Sequence, residues 1–319
     1  MNPYINDWLT IIDGMNNDNT YKLAWGRALV EICYGLEEVK EPTVITFDTI
    51  SAVFLKYYWN QTYFFKLYQG PAHSKPVIQQ ITEDMIDAYQ KTTNSTLPVW
   101  FDDAYKVLSK NTKEYQSYIR KISRTFTQNV SYRFLRVGDQ ELDLYILDNT
   151  NQTVSFKKEQ VYLIKEHAFI LSQLLNYRWA QLLEKFNTSP RIAMKVKGIS
   201  EEKIRRNNLT KFKNALLKQF PDGIVRDFYT DEILDPNDIS IDHVIPWSFM
   251  YSDDIWNLVI TSKSKNSSKS NKPITNEYIA KLEQRNILLM EVVDDGFKYQ
   301  IKTSKDLKLL ERFYFEFKI

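Results

Sequence analysis

Through the first 190 residues, apolar positions recur every three or four residues, the period of a helix with one buried face. Tyr21 to Leu36 reads as a helix, with Leu23, Ala24, Leu29 and Ile32 apolar. Asp48 to Lys66 reads as a second, crowded with Phe54, Tyr57, Tyr58, Trp59, Phe64 and Phe65. Lys75-Pro76 opens a third, and Phe101 to Leu108 and Tyr115 to Ile122 are shorter ones. The period then falls to two. Val130 to Val137 alternates, Gly138-Asp139 turns, and Leu142 to Leu147 and Thr153 to Phe156 complete an expected hairpin or meander. A long amphipathic helix follows from Val161 to Phe186 and stops near Ser189-Pro190.

Beyond it the pattern shortens. Ser200 is placed to cap a helix running to Phe220, and Pro221-Asp222-Gly223 turns the chain. Ser240 to Pro246 alternates as a strand, and Leu258-Val259-Ile260 is a second apolar run. Ser262 to Ser270 reads as a short polar helix and Asn276 to Arg285 as another. Ile287 to Val293 and Phe297 to Ile301 read as a hairpin around Asp294-Asp295-Gly296, with a closing helix from Lys305 to Phe315. The expectation is an α+β chain: a mainly helical domain over 1–190 carrying a small β-meander, a bridging helix over 191–220, and a compact domain over 221–319.

Composition changes this picture little. The 319 residues are enough for two cores, and 20 Tyr and 18 Phe are the one excess. Aromatics at helical spacing are expected in the core rather than as a base-stacking surface. His73 and His167 have no partners in sequence and read as structural. A net charge of +2 points to local charge clusters rather than a global field. Nine basic residues between 191 and 220, against Glu201 and Glu202, form one such cluster. One cysteine, Cys33, allows no intramolecular disulfide and fits a reducing cytoplasm. The N-terminus lacks a signal-peptide pattern and no apolar run reaches membrane-spanning length, so no membrane partner is expected.

The chemistry concentrates between 242 and 272. Asp242-His243 ends an apolar run, Asn257 follows His243 by 14 positions, and Asn266 follows by another 9, among lysines. A phosphodiester-cleaving site needs a base for water and a cation to neutralise phosphoryl charge. His243 is the one credible base, and Asp242 with the Asn266 amide oxygen offers hard oxygen ligands. Neighbours on a strand face opposite ways unless it ends or bends there, and Pro246 is consistent with an end. Asn257 can hold a loop by bonding backbone groups on both sides.

The spacing of Asp242-His243, Asn257 and Asn266 closely resembles the HNH, or ββα-metal, nuclease family in its H-N-N variant. The same spacing and Lys/Ser/Asn-rich helix are similar to the HNH domain of RNA-guided CRISPR effector nucleases. The resemblance covers roughly residues 215–285. It implies a ββα-metal module in which His243 is the general base, Asp242 and Asn266 hold Mg²⁺ or Mn²⁺, and Asn257 holds the loop. Many relatives bind a structural zinc through two Cys-x-x-Cys pairs. These would fall near Asp227 and Thr230 and at Ser262 and Lys265, so no structural zinc is expected. The implied partner is double-stranded DNA. Lys263, Lys265, Lys269 and Lys272, within and just after the polar helix, and Lys203, Arg205, Arg206, Lys211 and Lys213 on the bridge, are the candidate backbone contacts. The layout also resembles bacterial restriction and phage-defence HNH endonucleases, in which a defence-system partner is expected, and a single site that cuts one strand makes a homodimer the other expected partner. The other readings are a catalytically silent HNH fold that binds DNA or assembles a complex, and a homing or toxin-type nuclease.

Overall fold

The computed structural model describes residues 2–197, 208–269 and 274–318. The chain forms two compact units, residues 1–94, 98–188 and 192–202 in one, and 95–97, 189–191 and 203–319 in the other. The architecture is α+β. Among the described residues, no helix is long and apolar enough to cross a membrane.

The first unit is mainly helical: α1 (Pro3–Gly14), α2 (Tyr21–Gly35), α3 (Phe47–Trp59), α4 (Val77–Thr93), α5 (Phe101–Leu108), α6 (Thr112–Asn129), α7 (Lys158–Leu183) and α8 (Ile192–Lys197). Local chemistry sets their ends. Asn2 caps α1 by accepting from the Tyr4 amide at 2.9 Å, with Pro3 next in line. Thr46 caps α3 by accepting from the Thr49 amide at 3.2 Å. Asn94 closes α4 in the left-handed conformation at φ 48°. The aromatic excess is the core of this unit. Trp8, Trp25, Trp59 and Trp179 are fully buried with Phe47, Phe54, Tyr57, Tyr58 and Phe126. A buried Phe contributes about 1.5–3 kcal/mol through apolar transfer. The polar tips are matched: Tyr57 donates to Glu31 at 2.6 Å, and Trp59 Nε1 to the Val99 carbonyl at 2.9 Å. These rings have no face open to a base.

The sheet of this unit differs from the expected meander. β1 (Thr43–Thr46) pairs antiparallel with β5 (Thr153–Phe156), which also pairs with β4 (Ile146–Asp148), giving the order β1-β5-β4. β2 (Arg136–Val137) and β3 (Gln140–Glu141) are a separate two-residue hairpin around Gly138, whose φ of 58° suits the turn. Val130 to Leu135 is not a strand. Its apolar members Val130, Phe134 and Leu135 fold back under α6, with the Ser131 and Phe134 amides bonded to the Phe126 and Val130 carbonyls.

The second unit opens with α9 (Thr210–Leu217) and is built on an antiparallel hairpin, β6 (Ile239–His243) against β7 (Leu258–Ser262). Asp242 lies opposite Val259 and His243 opposite Leu258. A short helix α10 (Trp247–Met250) lies in the connection, and α11 (Lys263–Lys269) follows β7. α12 (Asn276–Met290), α13 (Asp295–Asp306) and α14 (Leu309–Lys318) complete the unit. Its core gathers Phe212, Leu216, Val244, Ile245, Leu258, Ile260, Leu282, Leu289, Ile301 and Tyr314. The hairpin expected over 287–301 is helical instead. Asp294 caps α13 by accepting from the Phe297 amide at 3.1 Å, so the Asp-Asp-Gly run starts a helix rather than a turn. Of Ile287-Leu288-Leu289, Leu289 alone is buried, as one face of a helix requires. The expected Ser200 cap lies outside the described residues.

Candidate active site

Alternation along β6 decides what each side chain can meet. Ser240 and Asp242 share one face. The side-chain amide of Asn266, one turn into α11, donates to Ser240 Oγ at 2.9 Å and to the Ile241 carbonyl at 3.0 Å. A carbonyl only accepts, so the group facing it must be the NH₂. Both amide hydrogens are committed to β6, and Asn266 Oδ1 is the end left to act as an oxygen ligand. Asn266 therefore lies on the strand face that carries Asp242. Asp242 Oδ2 accepts from the Tyr229 hydroxyl at 2.6 Å. Burial first, then the Asp242 carboxylate beside it, push that phenol well above its ordinary range, so Tyr229 remains a donor. Tyr278 of α12 packs edge-on against Tyr229 at 5.1 Å.

His243 is the last residue of β6. Its Nε2 lies 2.9 Å from Asp253 Oδ1, and the two side chains are 9% and 6% exposed. Asn257 is fully buried and clamps the turn after β6. Its Oδ1 accepts from the Ile245 amide, and its Nδ2 donates to the Ile245 carbonyl, both at 2.8 Å. Its own carbonyl accepts from the Val244 amide at 2.9 Å. Asn286 of α12 supports the same loop by donating to the Trp256 carbonyl at 2.9 Å.

The oxygens that could hold an ion here are the Asp242 carboxylate and the Asn266 amide oxygen. Among the described residues, no three His, Cys, Asp or Glu side chains gather into a metal-binding group. Two hard protein oxygens with the remaining positions left to water and phosphate fit Mg²⁺, which keeps much of its hydration. They do not fit a closed, all-protein cage.

A second polar cluster joins Asp227, Thr230, Ser262 and Lys265. The buried Asp227 accepts from the amides of Tyr229 (2.9 Å), Thr230 (3.0 Å) and Ser262 (3.2 Å) and from the Thr261 hydroxyl (2.7 Å). Burial alone would push its carboxyl up. The hydrogen bonds outweigh burial and hold it below the usual carboxylate range. Lys265 donates to the Thr230 hydroxyl at 2.6 Å, pairs with Glu232, and lies 3.9 Å from Asp227. Its amide donates to Ser262 Oγ at 3.1 Å.

The candidate phosphate contacts divide. Lys263 donates to the Asn237 carbonyl at 2.9 Å, and Lys265 is held as described. Lys211 is exposed, 4.8 Å from the Phe212 ring centre, and Lys213 is half-buried. Lys203, Arg205, Arg206 and Lys272 lie outside the described residues, as does the side chain of Lys269. Sequence reasoning did not single out Tyr229 or Asp253 and met Asp227 only as a missing cysteine. The Asp253-Asp254 pair ten residues after His243 was the one signal available.

Residues 227–273 match the family model described as HNH endonuclease. No solved structure matches the chain.

Proposed function

We propose, from the match of residues 227–273 to the HNH endonuclease family model, that the chain is a metal-dependent DNA endonuclease. The observation that carries the reading is the Asn266 amide, turned by Ser240 and Ile241 on the strand face that bears Asp242, one residue before His243. In this reading Asp242 and Asn266 Oδ1 hold Mg²⁺ or Mn²⁺. A bound divalent ion would neutralise charge on the phosphoryl oxygens and the leaving 3′ oxygen. His243 accepts the proton of the attacking water. Asn257 fixes the turn that follows His243 and so the direction of the strand's last residue. Products carry 5′-phosphate and 3′-hydroxyl ends.

One such site serves one phosphate, so a double-strand break needs two copies or two sequential nicks. A restriction or phage-defence setting is supported by the helical unit preceding the nuclease segment, and that unit is the natural place for target or partner recognition. The deciding experiment incubates purified protein with supercoiled plasmid in Mg²⁺, in Mn²⁺ and in EDTA. Nicked or linear product with either metal and none in EDTA supports the reading. Cleavage that survives EDTA, or intact plasmid under all three conditions, contradicts it.

A further inference from the structure

We infer that Asp253 is a positioning residue for His243, holding the ring so that Nε2 carries the proton and Nδ1 is the atom that accepts one from water. This deepens the proposed nuclease reading and rests on His243 being its base. An ionised carboxylate can only accept, so a 2.9 Å approach of Nε2 to Asp253 Oδ1 requires the hydrogen on Nε2. A neutral imidazole carries one N–H, which leaves Nδ1 with its lone pair. Both side chains are more than nine-tenths buried, so water competes poorly for either atom.

The segment that presents Asp253 is fixed on both sides. Tyr251 closes α10 in the left-handed region at φ 54°, a conformation a bulky residue adopts only under constraint, and its amide donates to the Trp247 carbonyl at 2.6 Å. Arg191 donates to the Tyr251 carbonyl at 3.3 Å. The Ser252 hydroxyl donates to the Asp254 carboxylate. On the far side stands the Asn257 clamp on Ile245. A carboxylate placed this firmly can select a tautomer, whereas one on a free loop could not.

The test reads the ring directly. In the full chain labelled with ¹⁵N-histidine and free of metal, the His243 resonances, assigned by their loss in His243→Ala, should report the Nε2–H tautomer once raising the pH no longer moves them, the plateau that marks the neutral ring. Asp253→Ala should yield a tautomer mixture and lower kcat for plasmid nicking by about 10- to 100-fold, the size seen when a carboxylate that orients a metal-bound histidine is removed, with KM for DNA unchanged. An Nδ1–H tautomer in the unaltered chain overturns the inference, and that measurement decides even if the variant does not fold. Unchanged tautomer or unchanged kcat in a folded Asp253→Ala also overturns it. The two readings fail separately. Full turnover in His243→Ala removes the base itself, whereas an inactive His243→Ala beside a fully active Asp253→Ala removes Asp253 alone.

Discussion

Around Asp227 and around Asp242 the second unit uses the same few side-chain types, wired differently. Asp227 is buried and gathers three amides and a hydroxyl, and its neighbour Lys265 is engaged by Glu232 and Thr230. The cluster is closed on itself. At Asp242 the carboxylate accepts from the Tyr229 hydroxyl, and Asn266 spends both amide hydrogens on β6 while its oxygen is turned away from them. An aspartate surrounded by backbone amides fixes a fold. An aspartate steadied by a phenol, with an oriented amide oxygen on the same strand face, is equipped to share an ion. The difference lies in partners, not in residue type.

The largest effect expected from separating the two is at His243. His243→Ala should reduce nicking by about 10²- to 10⁴-fold, the usual worth of a general base, with DNA binding near that of the unaltered chain and a lower melting temperature, because the buried Asp253 carboxylate loses its contact with the ring. Wild-type turnover would erase the contrast. Next comes the closed cluster. Asp227→Ala strands several buried donors at once and should cost about 3 kcal/mol, read as faster hydrogen exchange in peptides spanning β6 and β7. Normal exchange with lost cleavage would instead place Asp227 on the chemical side.

Acid sharpens the same point with a smaller effect. Because the folded Asp227 carboxyl sits below its ordinary value, its contribution is complete above that value and fades as pH drops through the lower folded one. Exchange protection of β7 should therefore hold at pH 5 to 7 and decline from about pH 4 downward. In Asp227→Asn that part of the decline should disappear. The smallest effect concerns lysines. Neutralising Lys211 and Lys213 should flatten the salt dependence of DNA binding by roughly 0.9 per lost phosphate contact, whereas Lys265→Gln should leave the slope nearly intact and lower stability instead. Equal slope changes in the two variants would return Lys265 to the DNA-facing set.

What the sequence made legible follows from how local each signal is. Asp242, His243, Asn257 and Asn266 stand out because few kinds of site call for those residue types at that spacing. The helical stripes of α2, α3 and α7 were readable because each is a repeat within a short stretch of chain. β1 was not, because Thr43 to Thr46 becomes a strand only by pairing with Thr153 to Phe156, more than a hundred residues on. The Asp294-Asp295-Gly296 run carries turn chemistry and capping chemistry alike, and burial of Leu289 and Ile301 decided for helix. Tyr229 and Asp253 were hidden because a tyrosine or a surface-type acid becomes informative only when its partner is known. Lys263 and Lys265 looked identical until Glu232 and Asn237 took them apart.

The clasp around Asp227 is made of the chain's own side chains and amides, which has a practical side. A module held this way should keep its shape when chelator strips every divalent ion from solution. If the proposed nuclease reading holds, chelation would act as a pause rather than a denaturant. Protein and DNA could then be brought to equilibrium in the idle state and the reaction begun by a pulse of magnesium. Every molecule would start from the same bound geometry, so the first nick could be timed apart from binding.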